Sequence, residues 1–522
     1  MQNLIIILLF AFLQSGCKSS DKTPIVDPAD PKEQRAGEIN AELEASLNAI
    51  LLESEKTSTT ALCPEDVLEQ IGDAANPFVE CGAIRVPEFH DTPNGKFVAL
   101  AFLKISKDNN RRPLLIIEQG GPGGSSMILA AANARRIPAL LENFNILAVE
   151  QRGTSWTRPK VTCDETINYL LENINSDETY AGIVEIQKRC LMEVARLVSM
   201  DSISTYQIAS DINYAAKTFG YQNYSYYGVS YGTIVGQYLL KYYPTSLHRT
   251  ILDSPVVPGY DWTNDALRNI DFLIKKNTET FMAEVREQGT WGRNYEETLE
   301  YFKQLPLVFD GAPLQVLFTY KNVTYPVLVN KDIYRSLFLK TLITGQSLIS
   351  LVVAAQKRSQ DEERSKTILT RFVNSYMDVE DAASDIMYQA LICREFDVRT
   401  NQARSIVSQS IELRKLVSEH EFNQFLSDFN EDKCYLKFLP STEPKLIKGA
   451  VATNESVLVV GGEIDYVTSP NYVALVAQNF INGNQAVFLG VSHGVLAEKE
   501  CINESLINYL IGLDGRFTNS CE

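Results

Sequence analysis

The sequence is short of histidine and of closely spaced cysteines, and both shortages restrict its chemistry. Only four histidines occur in 522 residues, and no C-x-x-C spacing is present. Because protein zinc sites are built from closely spaced Cys and His side chains, no metal site is expected. Basic residues are also scarce, with 48 Lys and Arg against 65 Asp and Glu and a formal net charge of −17. A phosphate backbone would be repelled by this excess of negative charge, so nucleic acid is not an expected partner.

The amino-terminal apolar run, Leu4 to Leu13, is too short to span a bilayer. It is followed by Gln14-Ser15-Gly16-Cys17 and then by polar Lys18. This segment resembles a bacterial lipoprotein signal, in which the cysteine is acylated and becomes the mature terminus. The resemblance implies a signal peptide over residues 1–16, a lipid on Cys17 and, from Lys18, a place on the outer membrane of the cell envelope. Plain cleavage of an export signal is the alternative.

The nine cysteines support export into an oxidising compartment. If Cys17 carries lipid, eight remain, and they fall into close sequential pairs. The expected disulfides are Cys63–Cys81, Cys163–Cys190, Cys393–Cys434 and Cys501–Cys521.

The composition, 45% hydrophobic and 22% charged, suits a large core with an accessory domain. Residues 17–60 differ from the rest, because Pro24, Pro28 and Pro31 lie among charged residues. This segment is predicted to be a tether between the membrane and the globular part. Within it, Glu33 to Leu52 has apolar residues at helical intervals and is predicted to form a short surface helix at most.

The globular part is organised around Gly228-Val229-Ser230-Tyr231-Gly232. An aromatic run typical of a strand precedes this pentapeptide, and apolar residues at helical spacing follow it until Pro244. A serine at a sharp strand-to-helix turn between glycines is the pattern of a nucleophile elbow. The alternative is a chance G-x-S-x-G in a loop.

Two buried strands end in segments that indicate a site. Leu114 to Ile117 leads into five successive Gly and Pro residues from Gly120 to Gly124, whose backbone N–H groups are accessible because no side chain blocks them. A phosphate loop is not expected, since no Gly-Lys-Ser/Thr follows. Ile146 to Glu150 leads into Gln151-Arg152-Gly153-Thr154.

The order of these motifs resembles the proline iminopeptidase and tripeptidyl aminopeptidase family of α/β-hydrolases. The resemblance covers roughly residues 80–260 and 455–522. It implies an α/β-hydrolase fold with a mostly parallel central sheet.

A catalytic serine requires a histidine, and His493 is the best placed of the four. It lies in Gly490-Val491-Ser492-His493-Gly494, directly after the apolar run 486–489. Catalytic groups collect at the ends of strands in α/β sheets. His90 lies in a turn at an edge strand, His248 lies on a surface-like stretch, and His420 lies in a charged run. A histidine that only caps a loop remains the alternative for His493.

The acidic partner is expected after the strand Ser456 to Val460, where both Glu463 and Asp465 follow Gly461-Gly462. By resemblance to the family, whose acid stands three residues after a glycine and just before a helix start, Asp465 is preferred. Ser230, Asp465 and His493 then occur in the chain order that this fold requires.

Between the two halves, residues 256–450 show helical spacing of apolar residues. We expect a helical lid inserted between a first core half, residues 61–255, and a second, residues 451–522. The helices are expected at 271–287, 294–305, 331–357, 361–377, 382–396 and 401–427.

The expected mechanism uses His493 to take the proton of Ser230, Asp465 to orient His493, and the N–H groups of Gly121 and Tyr231 to bind the oxyanion, without a cofactor. The family resemblance implies action on peptides with a free N-terminus, whose amine is held by lid carboxylates. A monomer is expected. Glu395 is a candidate ligand, against the alternative of a solvated lid glutamate. The alternative hypothesis is a carboxylesterase with the same triad, and a further one is a non-catalytic lipid-anchored binding protein.

Overall fold

The computed structural model describes residues 31–521, with side chains from residue 41 onwards. The ranges outside the description are 54–55, 73–77, 93–94, 109–110, 155, 176–178, 259–267, 290, 321–322, 346–347, 377–378, 397–404, 429–443, 445–454 and 513–515. Cys17, the predicted site of lipidation, and Cys434 lie outside the described residues.

A ten-stranded sheet forms the centre of the fold, in the order β1-β2-β3-β5-β4-β7-β8-β11-β12 with β6 paired to β3. The strands from β5 to β12 along this order pair in parallel, and those from β1 to β5 pair antiparallel. The expectation of a mostly parallel central sheet is confirmed. The strands are β1 Ser58–Ala61, β2 Phe78–Pro87, β3 Phe97–Ser106, β4 Leu114–Glu118, β5 Asn145–Val149, β6 Thr157–Arg158, β7 Tyr224–Val229, β8 Leu247–Asp253, β11 Ser456–Gly462 and β12 Asn482–Phe488.

Helices cover both faces of this sheet, and its central strands are buried along their whole length. Every residue of β4 and of β7 is buried, as expected of a strand between two layers. The described helices of the core are α1 Pro31–Leu52, α2 Glu65–Ile71, α3 Ser126–Arg136, α4 Pro138–Asn143, α5 Asp164–Glu172, α6 Thr179–Leu197, α7 Thr205–Thr218, α8 Tyr231–Tyr242, α17 Asn471–Ala477 and α18 Glu500–Ile511. One apolar cluster lies under α7 and α8, and another under α3 and α18.

The amino-terminal segment is more closely attached to the core than its composition indicates. Helix α1 packs against β2 and β3, and Leu43, Leu47 and Ile50 are buried there. Strand β1 then pairs with β2, so β2 and β3 are not the outermost strands. The sequence expectation of a surface helix at most therefore differs from the structure, because three of the apolar positions at helical spacing face the sheet.

Three of the four expected disulfides are confirmed: Cys63–Cys81, Cys163–Cys190 and Cys501–Cys521. Cys393 is also disulfide-bonded, while its expected partner Cys434 is outside the described residues. The first bridge joins the start of the globular part to β2, and the last joins the carboxyl terminus to α18.

The inserted segment is mainly helical and has an apolar cluster of its own. It also contains an antiparallel pair that the helical spacing did not predict, in which Leu314, Val316 and Phe318 alternate inward. Its elements are α9 Ile270–Glu287, α10 Tyr295–Gln304, β9 Leu314–Tyr320, β10 Val323–Val329, α11 Lys331–Thr344, α12 Ile349–Lys357, α13 Glu362–Tyr376, α14 Val379–Glu395, α15 Ile411–Leu416 and α16 Glu419–Asp428.

Two helices of the insertion are interrupted where continuous helices were expected. Helix α11 ends before Gly345, which has a left-handed backbone with φ 75°. Between α15 and α16, the Ser418 hydroxyl accepts the N–H of Glu421 while the Glu421 carboxylate accepts the N–H of Ser418. This reciprocal capping begins a new helix. None of the described helices is both long and apolar enough to cross a membrane.

Candidate active site

Ser230 lies at the turn from β7 into α8. Its backbone has φ 57° and ψ −124°, a conformation that non-glycine residues seldom adopt. The turn is tight, because a Cβ at Gly228 would lie 2.5 Å from the carbonyl oxygen of Gly232. The predicted strand, sharp turn and helix are therefore present around this serine.

The Gly-rich segment after β4 lies against Ser230. A Cβ at Gly120 would lie 2.6 Å from the Cβ of Ser230, so only glycine allows this approach. Tyr231 begins α8, and the first N–H groups of a helix have no partner within it. Among the described residues, none accepts a hydrogen bond from the N–H of Gly121. Both groups predicted to bind an oxyanion thus belong to segments that border the serine.

Gln151 holds the Gly-rich segment from the neighbouring loop. Its Oε1 accepts the N–H of Gly123 at 3.0 Å, and its Nε2 donates to the carbonyl oxygen of Gln119 at 2.9 Å. These two bonds lie on either side of Gly121. Gln151 is 1% exposed, so water cannot readily replace either bond.

Replacing Gln151 with alanine is expected to lower kcat/KM and the rate of fluorophosphonate labelling about 10-fold, because the Gly123 N–H and the Gln119 carbonyl oxygen lose their partner. The measurement compares Gln151→Ala with Gln304→Ala, in which an exposed glutamine of the insertion is removed. Both thermal midpoints are recorded. An unchanged labelling rate in the folded Gln151→Ala protein would show that the segment does not need this support.

His493 and Asp465 form a buried pair. Nδ1 of His493 lies 2.9 Å from each carboxylate oxygen of Asp465, and both side chains are almost fully enclosed. Burial acts to lower the pKa of His493, but the charge and hydrogen bond of Asp465 outweigh it and the pKa is raised. Burial acts to raise the pKa of Asp465, but the charge and hydrogen bond of His493 act against it, and the pKa of Asp465 is lowered. The pairing therefore favours an ionised acid beside an imidazole that accepts a proton readily.

Backbone and side-chain donors orient the Asp465 carboxylate. Oδ1 accepts the N–H groups of Val467 and Thr468, each at 2.8 Å, and Oδ2 accepts the Thr468 hydroxyl at 2.9 Å. Glu463, the rival acid, points elsewhere: it pairs with Lys276 of α9 and accepts the N–H of Gly490. Of the two candidate acids, the structure brings Asp465 to His493.

The other three histidines have different surroundings. His90 bonds through Nε2 to Asp211 at 2.7 Å. His248 and His420 are exposed. Asp211 in turn binds the fully buried guanidinium of Arg152, so the Arg of the Gln-Arg-Gly-Thr motif belongs to a structural ion pair.

Glu395 contacts the end of a helix. Both of its carboxylate oxygens accept from Thr205, one from the backbone N–H at 2.9 Å and one from the hydroxyl at 2.5 Å. A carboxylate at the start of α7 is favoured by the helix dipole. The Thr205 hydroxyl also lies 2.6 Å from the hydroxyl of Tyr231. These contacts account for Glu395 without a ligand, and binding of a substrate amine stays a prediction.

The insertion packs on the loops that carry Asp465 and His493. Lys276 of α9 lies 3.1 Å from Glu463, and the Ser492 hydroxyl donates to the carbonyl oxygen of Thr344 at 3.3 Å. Ile464 belongs to the apolar cluster of the insertion. The inserted helices thus touch the residues directly before both members of the pair.

The sequence reasoning did not identify two contributors to the site, Gln151 and Asp253. Asp253 is the last residue of β8, and its carbonyl oxygen accepts the N–H of Ser230 at 2.9 Å. A polar residue at the end of a buried apolar strand was the available signal for each. Among the described residues, no group of three or more His, Cys, Asp or Glu side chains could hold a metal ion.

Two families match separate parts of the chain. Residues 113–303 match the family described as alpha/beta hydrolase fold, and residues 420–517 match the family described as TAP-like protein. The serine protease Hip1 of Mycobacterium tuberculosis and that of Mycobacterium bovis are each 27% identical over 197 residues, which is 36% of this chain. The match spans 38% of the length of these curated relatives.

Solved structures of hydrolases also align with the chain. A proline iminopeptidase of Mycobacterium smegmatis aligns over 82% of this chain and 97% of its own, with 12% identity and a TM-score of 0.38. A hydrolase of Pseudomonas aeruginosa aligns over 84% and 99%, with 13% identity and a TM-score of 0.33. From its sheet topology and the match over residues 113–303, the chain has the α/β-hydrolase fold, and residues 420–517 are similar to TAP-like proteins.

Proposed function

We propose that the protein is an exported serine hydrolase that releases residues or short peptides from peptide N-termini. The observation that carries the proposal is the buried His493–Asp465 pair, at 2.9 Å, in a fold whose elbow presents Ser230 with φ 57°. The likeness of part of the chain to proteins named serine protease supports a peptide substrate.

In the proposed mechanism, the Ser230 hydroxyl attacks the carbonyl carbon of the scissile bond while His493 takes its proton. Since Nδ1 of His493 faces Asp465, Nε2 is the nitrogen that receives this proton. The negative charge that forms on the carbonyl oxygen is stabilised by the N–H groups of Gly121 and Tyr231. The C–N bond then breaks, and His493 returns the proton to the leaving amine.

A water molecule completes the cycle by attacking the acyl-enzyme ester. His493 takes a proton from this water and returns it to the Ser230 oxygen as the ester bond breaks. Asp465 stays ionised throughout, because its pKa is lowered. The ionised carboxylate stabilises the imidazolium form of His493. Each step uses groups of this chain and water.

The insertion supports action at peptide ends. Its helices α9 and α11 contact the loops of Asp465 and His493, which supports the proposal that the insertion forms a lid and narrows the approach to Ser230. A flexible peptide end passes a narrow entrance more easily than an internal loop of a folded protein. We therefore favour an exopeptidase.

Export is supported by the disulfides. Three bridges are formed among the described residues, and Cys393 takes part in another. Such bridges persist in oxidising compartments and are uncommon in the cytosol. The lipid on Cys17 and the outer-membrane location remain part of the proposal. Labelling of the expressed protein with a radioactive fatty acid, compared with Cys17→Ala, tests them.

A substrate panel tests the proposed specificity. It consists of a prolyl anilide and a tripeptide anilide with free amines, their N-acetylated forms, and a short-chain acyl ester. If a carboxylate of the site holds the charged amine, acetylation is expected to cost about 2–5 kcal/mol in kcat/KM, because that carboxylate loses its partner. The better of the two free-amine substrates gives the length of the released unit.

The controls separate specificity from catalysis. Ser230→Ala is assayed on every substrate to exclude a contaminating hydrolase. Equal turnover of blocked and free anilides would contradict the exopeptidase assignment. Ester cleavage far above both would favour the carboxylesterase, with the same triad.

A further inference from the structure

Asp253 and Ser254 touch all three segments that carry the proposed triad. Both residues are fully buried at the end of β8. The carbonyl oxygen of Asp253 accepts the N–H of Ser230 at 2.9 Å, and the N–H of Ser254 donates to the carbonyl oxygen of Val460 at 2.8 Å. Val460 belongs to β11, the strand that leads to Asp465. This dipeptide therefore joins the serine segment to the acid segment.

Their side chains reach the third segment, directly after His493. The Ser254 hydroxyl accepts the N–H of Gly494 at 2.9 Å. The Oδ2 atom of Asp253 accepts the N–H groups of Val495, at 2.8 Å, and Leu496, at 3.3 Å. Three successive N–H groups after the histidine are thus bound by two side chains. Both acceptors are more than 200 residues away in sequence.

Further contacts fix the dipeptide itself. The Tyr227 hydroxyl donates to Oδ2 of Asp253 at 2.6 Å, and the Ser254 hydroxyl donates to Oδ1 at 3.1 Å. Ser254 also has a left-handed backbone with φ 54°, which is uncommon for serine. Such conformations persist where the surroundings determine them strongly, and they concentrate at functional sites.

We propose that Asp253 and Ser254 are positioning residues, which hold the imidazole of His493 in place relative to Ser230 and Asp465. The inference rests on the proposed function, since it concerns the same triad. Neither residue is assigned contact with substrate. They act through the backbone after His493, where a small displacement would move Nε2 away from the serine hydroxyl.

Asp253 also acts on His493 through its charge. Burial raises the pKa of Asp253 to about 6, against the opposing effects of the Tyr227 hydroxyl, the N–H groups of its loop partners and His493. The ionised carboxylate, together with Asp465, raises the pKa of His493. Among the described residues, two further titratable groups lie here: Tyr227, bonded to Asp253, and Tyr466, whose ring lies 6.1 Å from that of His493.

The sign of the expected effect follows from these charges. His493 accepts the serine proton only when neutral, so labelling of Ser230 falls as the pH drops through the pKa of His493. Asp253→Asn removes a negative charge and lowers that pKa. The acid limb of the labelling profile is therefore expected to move to lower pH, by roughly 0.5–1 unit.

The test compares five variants by their rates of fluorophosphonate labelling between pH 5 and 9 and by their thermal midpoints. Asp253→Asn keeps an oxygen for the Val495 and Leu496 N–H groups, so it removes the charge with little change in shape. Asp253→Ala and Ser254→Ala remove the acceptors, and labelling per folded molecule is expected to fall roughly 10-fold or more at every pH. Asp310→Asn, at an exposed lid carboxylate, is the control.

The outcomes are distinguishable. A purely structural role would lower the thermal midpoint of the variants. It would leave unchanged the pH profile of Asp253→Asn and the labelling rate per folded molecule of Ser254→Ala. This result would overturn the inference. If Asp253→Ala does not fold, the pH profile of Asp253→Asn still tests the inference. Ser230→Ala is included to separate the two proposals. Labelling that persists in Ser230→Ala would reject the proposed function itself. Loss of labelling in Ser230→Ala, together with an unchanged pH profile of Asp253→Asn, would reject only the positioning role.

Discussion

Ser230→Ala is expected to abolish labelling by a fluorophosphonate and to lower kcat about 10⁴- to 10⁶-fold. The reason is that the acyl-enzyme cannot form without the hydroxyl, and only substrate binding and oxyanion stabilisation remain. The substitution is small, and the Ser230 side chain makes no hydrogen bond that holds α8 among the described residues, so the fold is expected to persist. Labelled protein is digested and the modified peptide is identified by mass spectrometry.

A second serine of the same site provides the control. Ser492 precedes His493 and contacts the carbonyl oxygen of Thr344, but it lies in no elbow. Ser492→Ala is expected to label at a rate close to that of the native protein. Modification of any serine other than Ser230 in the native protein, or undiminished turnover by Ser230→Ala, would reject the assignment of the nucleophile.

The sequence predicted the elbow and the sheet well because both are encoded locally. A continuous apolar run indicated β4, an aromatic run indicated β7, and the spacing of two glycines around Ser230 indicated the turn that the structure contains. His493 was inferred from its position after a strand, and Asp465 was preferred over Glu463, which follows the same strand, by resemblance to the family. Parallel strands bring their carboxyl ends to one edge, and the 2.9 Å contact between the two side chains follows from that geometry.

What the sequence did not predict depends on contacts between distant segments. The bonds of Asp253 and Ser254 to the segment after His493 join residues 240 to 243 positions apart, and no local pattern marks them. Strands β9 and β10 were missed for a different reason. Their exposed positions include Leu317 and Leu328, so polar and apolar residues do not alternate strictly in the sequence, and both strands lie inside a long region dominated by helical spacing. The packing of α1 was underestimated because its three buried residues are few among many polar ones.

Asp465→Asn is expected to lower kcat about 10⁴-fold while leaving the fold intact. In the native protein, Oδ1 of Asp465 accepts two backbone N–H groups, so the carbonyl oxygen of an asparagine must occupy that position. The amide nitrogen then takes the position of Oδ2, 2.9 Å from Nδ1 of His493, where it can only donate. Although the oxygen in the Oδ1 position also lies 2.9 Å from Nδ1, the amide N–H favours the imidazole tautomer that carries its proton on Nε2, and in that tautomer Nε2 cannot accept the proton of Ser230.

The neighbouring carboxylate makes this prediction specific. Glu463→Gln changes an acid two residues away that pairs with Lys276, so it loses a contact with the insertion but leaves the His493 tautomer unaffected. Its kcat is expected to fall less than about 10-fold, since exposed ion pairs contribute little. Hydrolysis of an activated ester and fluorophosphonate labelling are measured for both variants, with thermal midpoints to confirm folding. If Glu463→Gln proved the more damaging and Asp465→Asn remained active, the acid of the triad would have to be reassigned to Glu463, although its carboxylate is not bonded to His493 in this structure.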